Sequence, residues 1–121
     1  MSSSSIAAPP SGKPRLALLQ ILAGGDKLKN LETAQLAIAK AASDGANIIA
    51  LPECFNSPYA TDQFPIYAEP MPASIEAIDP AVHPSTAMLS GAAAKHGIFL
   101  VGGAFLALAL RVVKFWQQKI T

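Results

Sequence analysis

The stretch Ile48-Ile49-Ala50-Leu51-Pro52-Glu53-Cys54-Phe55-Asn56-Ser57-Pro58-Tyr59 constrains this chain more than any other. Four apolar residues in a row end at a proline, and a carboxylate follows at once. A short, wholly apolar run bounded by a turn residue reads as a strand buried on both faces. Proline has no amide proton to give to a neighbouring strand, so Pro52 ends the ladder. Glu53 is thereby expected at the carboxyl end of a central strand, the rim where open α/β sheets take their ligands. Taken alone, a glutamate after a strand is better read as a solvated loop residue. The residues that follow it change that reading.

The rest of the chain falls into place around this strand. Arg15 to Ile21 is nearly continuous in apolar character and reads as a first parallel strand, covered on both faces. Asp26 is placed to cap a helix, its carboxylate accepting from a free amide of the first turn. Leu28, Leu31, Ala34, Ile38 and Ala41 then form one helical stripe, and Gly45 is the left-handed stop. Residues 15–51 are therefore strand, helix, strand, for which a right-handed crossover and a parallel pair are expected. Tyr59 to Val82 carries prolines at 65, 70, 72 and 80, but Phe64, Tyr67 and Met71 give it packing groups. It reads as an ordered loop with short helical turns. Pro84 opens a second helix, where its missing amide costs nothing. Met88, Ala92 and Lys95 or His96 share a face, and Gly97 ends it. Ile98 to Val101 is a third strand, closed by Gly102-Gly103.

Composition narrows the function classes. The chain has 121 residues, enough for one domain with a core. Apolar residues make up 51% and charged residues 14%, more apolar surface than a free-standing small domain needs. Much of the chain therefore expects a covering partner. Nine basic and eight acidic residues give a formal charge of +1, with no basic face for a nucleic acid or an acidic membrane. The longest charge-free apolar stretch, Gly97 to Leu110, is shorter than the roughly 20 residues of a membrane span. Cys54 is the single cysteine, so no disulfide forms within the chain, and a reducing compartment, the cytoplasm, is expected. His83 and His96 have no ligand-spaced partners, so neither a metal nor another cofactor is expected. Residues 1–12 are low-complexity and polar and read as a disordered tail. Residues 104–121 have no turn residues and a partial stripe, Phe105, Leu108, Val112 and Phe115, which predicts a helix.

Five stretches together resemble the nitrilase, or carbon–nitrogen hydrolase, superfamily. They are Lys13 to Gln20, Asp26 to Leu31, Gly45 to Tyr59, Phe64 to Glu69 and Ala94 to Gly103. Leu-Pro-Glu alone would be weak, but the run from Leu51 to Tyr59 is specific and is most similar to the omega-amidase branch. The resemblance covers residues 13–103. It implies an α/β fold, here the incomplete N-terminal part of an αββα sandwich, and amide hydrolysis by a Glu-Lys-Cys triad without a cofactor. The substrates implied are monoamides of dicarboxylic oxo-acids, such as 2-oxoglutaramate and 2-oxosuccinamate, and the assembly implied is a homodimer. Glu53 matches the triad glutamate, the general base. A carboxylate desolvated in a pocket beside a thiol can take the thiol proton, and a nearby lysine would stabilise the oxyanion of acyl transfer. Phe55 and Tyr59 are candidates for the wall of the substrate pocket.

The departures are equally specific. The family's nucleophilic cysteine lies far downstream in a motif of its own, so Cys54, although beside Glu53, reads as a buried packing residue. Lys114 and Lys119 stand in the wrong surroundings for the triad lysine. Ala60 stands where close relatives have glycine. The alternative expectation is therefore an inactive truncated product or a non-catalytic interaction module, arising from a truncated gene model, a retained intron or an alternative transcript. Such a piece, with sheet edges and faces exposed, is expected to be poorly soluble or molten.

Overall fold

The computed structural model describes residues 12–102. Three strands, β1 (Leu16–Leu18), β2 (Ile48–Ala50) and β3 (Phe99–Val101), form one parallel sheet in the order β1-β2-β3. Leu16, Ile48 and Phe99 stand side by side, as do Ala17, Ile49 and Leu100, and then Leu18, Ala50 and Val101. The polar bonds continue past the strand ends. Leu19 N donates to Ala50 O at 2.9 Å, and Leu51 N donates to Val101 O at 2.9 Å. Pro52 follows Leu51 and cannot donate, so the ladder stops there as the sequence predicts.

Two long helices fill the crossovers. α1 (Lys27–Ser43) begins at Asp26, whose carboxylate accepts from Lys29 N at 3.2 Å. It closes at Asp44, followed by Gly45 at φ 95°, a conformation open to glycine and strained for other residues. A side chain at Gly45 would also meet the Arg15 guanidinium at 3.1 Å, and that guanidinium donates to Asp44 O at 2.8 Å. A single turn, α2 (Phe64–Tyr67), lies in the proline-rich loop, and α3 (Pro84–His96) ends at Gly97 in the left-handed conformation.

Both long helices serve one core. Leu31, Ala34, Ile38 and Ala41 of α1 and Met88 and Ala92 of α3 pack with Ile49, Leu51 and Phe55, flanked by Ala17, Leu19, Ile21 and Leu100. These strand positions alternate, as one face of a sheet must. Gly102 belongs to the same packing, because a side chain there would lie 2.6 Å from Leu89 of α3.

Two expectations are corrected. The strands are not covered on both faces among the described residues: Leu16 is 57% exposed and Leu18 76%. An apolar run shows that both faces suit burial, but it does not supply the layer that covers them. Leu28 is not on the buried stripe of α1, being 74% exposed, whereas Asn30 is buried. Asn30 turns inward because its amide both accepts from Gly24 N at 2.8 Å and donates to Gly24 O at 2.9 Å, fastening the chain to the helix start. Among the described residues no helix is long and apolar enough to cross a membrane. The expected C-terminal helix over 104–121, and the expected tail apart from Gly12, lie outside the described residues.

Candidate active site

Residues 52–57 make a tight turn at the carboxyl end of the central strand β2. Ser57 N donates to Cys54 O at 3.3 Å and closes it. Cys54 has φ 54°, the left-handed region that L-residues seldom occupy outside turns and functional sites. This kink divides neighbouring side chains between solvent and core. Glu53 is exposed, whereas Cys54, Phe55, Asn56 and Ser57 are all buried.

Glu53 accepts a hydrogen bond from the Tyr59 hydroxyl at 3.3 Å. The Tyr59 ring stands edge-on to Phe64, at 5.8 Å between centroids and 86° between planes, so the first residue of α2 braces it. The Glu53 carboxylate, by its charge first and by this hydrogen bond second, raises the Tyr59 pKa above the ordinary phenol value. Cys54 behaves as a structural thiol. It is 7% exposed, and burial first and the charge of Glu53 second raise its pKa above the ordinary thiol range. A thiol held in its neutral form is a poor nucleophile.

The structure thus brings Glu53 and Tyr59 together at the sheet rim. Phe55 is 1% exposed and is part of the core. Glu53 is open to solvent where the triad chemistry calls for a desolvated carboxylate, since the described residues put Tyr59 beside it but do not enclose it.

The sequence reading passed over a second carboxylate. Glu69 is 3% exposed and is held by four groups. Its Oε1 accepts from Ser85 N at 2.9 Å. Its Oε2 accepts a very short bond from the Ser85 hydroxyl, a longer one from Asn56 Nδ2 at 3.4 Å, and lies 3.2 Å from Lys27 Nζ. Asn56 Nδ2 also donates to Ser85 Oγ at 2.9 Å, and Lys27 Nζ to Tyr67 O at 2.7 Å. One signal was available. α3 begins with His83 at its N-cap, not Ser, Thr, Asp or Asn, and makes no side-chain cap there. Its free amides therefore needed an acceptor from elsewhere, and Glu69 is the acidic residue of the nearby Phe64–Pro70 stretch.

Comparison with known proteins places this arrangement. The carbon–nitrogen hydrolase family model matches residues 15–118, reaching past Gly103 into the C-terminal segment. The chloroplastic omega-amidase of Arabidopsis thaliana is 44% identical over 96 residues, which are 79% of this chain and 25% of that protein. The omega-amidase NIT2-B of Xenopus laevis is 47% identical over 91 residues, 75% of this chain and 29% of that protein. Among solved structures, Nit3 of Saccharomyces cerevisiae, a member of branch 10 of the nitrilase superfamily, superimposes with a TM-score of 0.66 at 38% identity. That match covers 76% of this chain and 33% of Nit3. The chain therefore spans between a quarter and a third of the length of these relatives. The parallel sheet with helices on one side is part of the α/β carbon–nitrogen hydrolase fold, and the chain belongs to the carbon–nitrogen hydrolase family, where it resembles the omega-amidases.

Proposed function

We propose that Glu53 is the general base of an omega-amidase-like site, acting on the amide of dicarboxylic oxo-acid monoamides such as 2-oxoglutaramate. The observation that carries this reading is the position of Glu53, exposed beyond the last ladder bond of the central strand and hydrogen-bonded to Tyr59. The identity to omega-amidases supports the substrate class. In this role Glu53 takes the proton of a nucleophilic thiol as that sulfur attacks the amide carbon, and gives it to the amide nitrogen as the C–N bond breaks and ammonia leaves. It then takes a proton from the water that attacks the thioester and returns it to the departing thiolate as the acid is released. Tyr59 lines the substrate side of the site, and Phe55 supports it from the core.

Cys54 is not that nucleophile. It is buried, its thiol is held neutral, and the turn places it away from the solvent that Glu53 meets. The 121 residues contain no other cysteine. We therefore infer that residues 1–121 alone do not turn over an amide, and that this chain, acting by itself, is non-catalytic. The open sheet face favours that second reading, because it offers surface for association.

The test is ammonia release from 2-oxoglutaramate, by the 121-residue chain and by the endogenous protein purified from cells. The chain alone is expected at background. The endogenous protein is expected to be active and to lose about a thousandfold or more in kcat on Glu53→Gln. Activity that survives this substitution would remove Glu53 from the mechanism.

A further inference from the structure

We propose that Glu69 is a positioning residue for this site: its buried carboxylate ties the Glu53 turn, through Asn56, to the first turns of α1 and α3. The proposal rests on the reading of Glu53 as the acting carboxylate. It goes beyond that reading by naming what fixes Glu53 in place.

The three residues that hold Glu69 come from separate pieces of chain. Lys27 is the first residue of α1, Ser85 the second of α3, and Asn56 belongs to the turn three residues past Glu53. Lys27 also grips the end of α2 through Tyr67 O at 2.7 Å, and the Tyr67 hydroxyl donates to Gly25 O at 2.5 Å. The turn and the starts of α1 and α3 thus meet at one carboxylate, and Lys27 extends the network to the end of α2.

The proton count makes Glu69 the controlling group. The Ser85 hydroxyl has one proton, and it goes to Glu69 Oε2. That leaves the Ser85 oxygen free to accept from Asn56 at 2.9 Å. Asn56 therefore reaches Glu69 twice, once directly and once through Ser85. A buried carboxylate without such partners would be strongly unfavourable, so the partners and the carboxylate fix one another. Glutamine at this position would remove the charge that faces Lys27 and would turn a donor either toward Lys27 and Asn56 or toward Ser85 N, all of which are donors themselves. Glu69→Gln should therefore loosen the turn while leaving the helices and sheet in place.

Two residues of the turn report on its position. Cys54 reacts with a thiol reagent only when the turn opens, because it is buried. Tyr59 is raised above its ordinary value mainly by Glu53 beside it, so its titration falls when the two part. The experiment measures both in dilute solutions of the full 121-residue chain. Cys54 is followed with Ellman's reagent. Tyr59 is followed as the tyrosinate absorbance difference from a Tyr59→Phe variant. In Glu69→Gln, Cys54 is expected to react about 10- to 100-fold faster, as loss of a charge-assisted bond in a local opening requires. Tyr59 should also titrate at lower pH than in the parent. Asn56→Leu, which removes the turn's half of the link, should reproduce both changes. Ile38→Val weakens the core away from the network and should leave the Tyr59 titration unmoved.

Unchanged Cys54 and Tyr59 behaviour in a folded Glu69→Gln chain would overturn the proposal. So would a Glu69→Gln and an Asn56→Leu chain that both lose cooperative unfolding, since the network would then serve overall stability. A parent chain whose Cys54 already reacts like a free thiol would overturn it too, because nothing would be holding the turn closed. Failure of the Glu53 reading looks different. Turnover by the endogenous protein would survive Glu53→Gln, while Glu69→Gln would still free Cys54.

Discussion

The row Ala17–Ile49–Leu100 and its neighbours, Leu16–Ile48–Phe99 and Leu18–Ala50–Val101, are equally apolar and lie in the same three strands. The first row faces α1 and α3, and Ile49 at its centre has no exposed surface. The other two rows face away from the helices, and their ends at Leu16, Leu18 and Val101 are 57%, 76% and 44% exposed. Hydrophobic burial stabilises only where a second layer removes the surface from water. Identical chemistry on the two faces therefore carries unequal energy. The covered face holds the fold together, and the open face is surface still to be covered, as the second layer of a sandwich would cover it.

The comparison breaks most clearly at adjacent residues of the central strand. Ile49→Ala, on the covered face, should cost about 2–5 kcal/mol, the range for an isoleucine emptied from a core. Ile48→Ala, on the open face, should cost under about 1.5 kcal/mol, because part of its surface is already wet. Urea midpoints of the two variants decide the matter. Equal losses would mean that the second face is covered in solution.

The next effect concerns association instead of folding. Leu16→Lys together with Leu18→Lys puts two charges on the open face. The double variant should keep the parent's helical circular dichroism and stay within about 0.5 kcal/mol in stability. Its self-association, read by sedimentation, should be at least about tenfold weaker, and its binding of a hydrophobic dye lower. Association that persists unchanged would move the sticky surface to other exposed groups, such as Leu22 at 95% or Leu36 at 67%.

The helices were legible in the sequence because their signals are local. Asp26, Gly45, Pro84 and Gly97 each stop or start a helix by their own chemistry, and each does so here. The parallel order followed from the crossover rule. Which face of each strand is covered was not legible, because an apolar run looks the same with one face covered or two. Leu28 was misplaced because periodicity ignores what a polar side chain can bind, and Asn30 has Gly24 to hold. At the site, the end of the ladder at Pro52 and the position of Glu53 just beyond it could be read from the run itself, whereas the exposure of Glu53 could not, because what encloses a carboxylate is set by distant segments. Glu69 could not, because its partners Lys27, Asn56 and Ser85 meet it only after the chain has folded. A buried ionic network has no period and no spacing; its one trace was a helix start without a cap of its own.

The turn repeats the comparison of faces on the scale of single residues, and pH sharpens it with the smallest of these effects. Cys54 lies on the covered side and Tyr59 on the exposed side, and Glu53 raises the pKa of both. For each, the folded chain holds its proton more tightly than the unfolded chain. Below the ordinary thiol range both states are protonated, and stability does not change on this account. As pH rises past that range, the unfolded chain releases the proton first, so unfolding gains. The Cys54 contribution is therefore lost between the ordinary thiol value and the raised one, with a limiting slope of about 1.4 kcal/mol per pH unit for one proton. Cys54→Ser should flatten the alkaline side of the stability curve. Glu53→Gln should separate the two groups. Charge is the larger cause at Tyr59, so its titration should return most of the way to the ordinary phenol value. Burial is the larger cause at Cys54, so most of the alkaline slope should remain. If Glu53→Gln abolished that slope as well, the thiol would be governed by the carboxylate beside it, and Cys54 would have to be moved from the covered side of the turn to the side that faces the reaction.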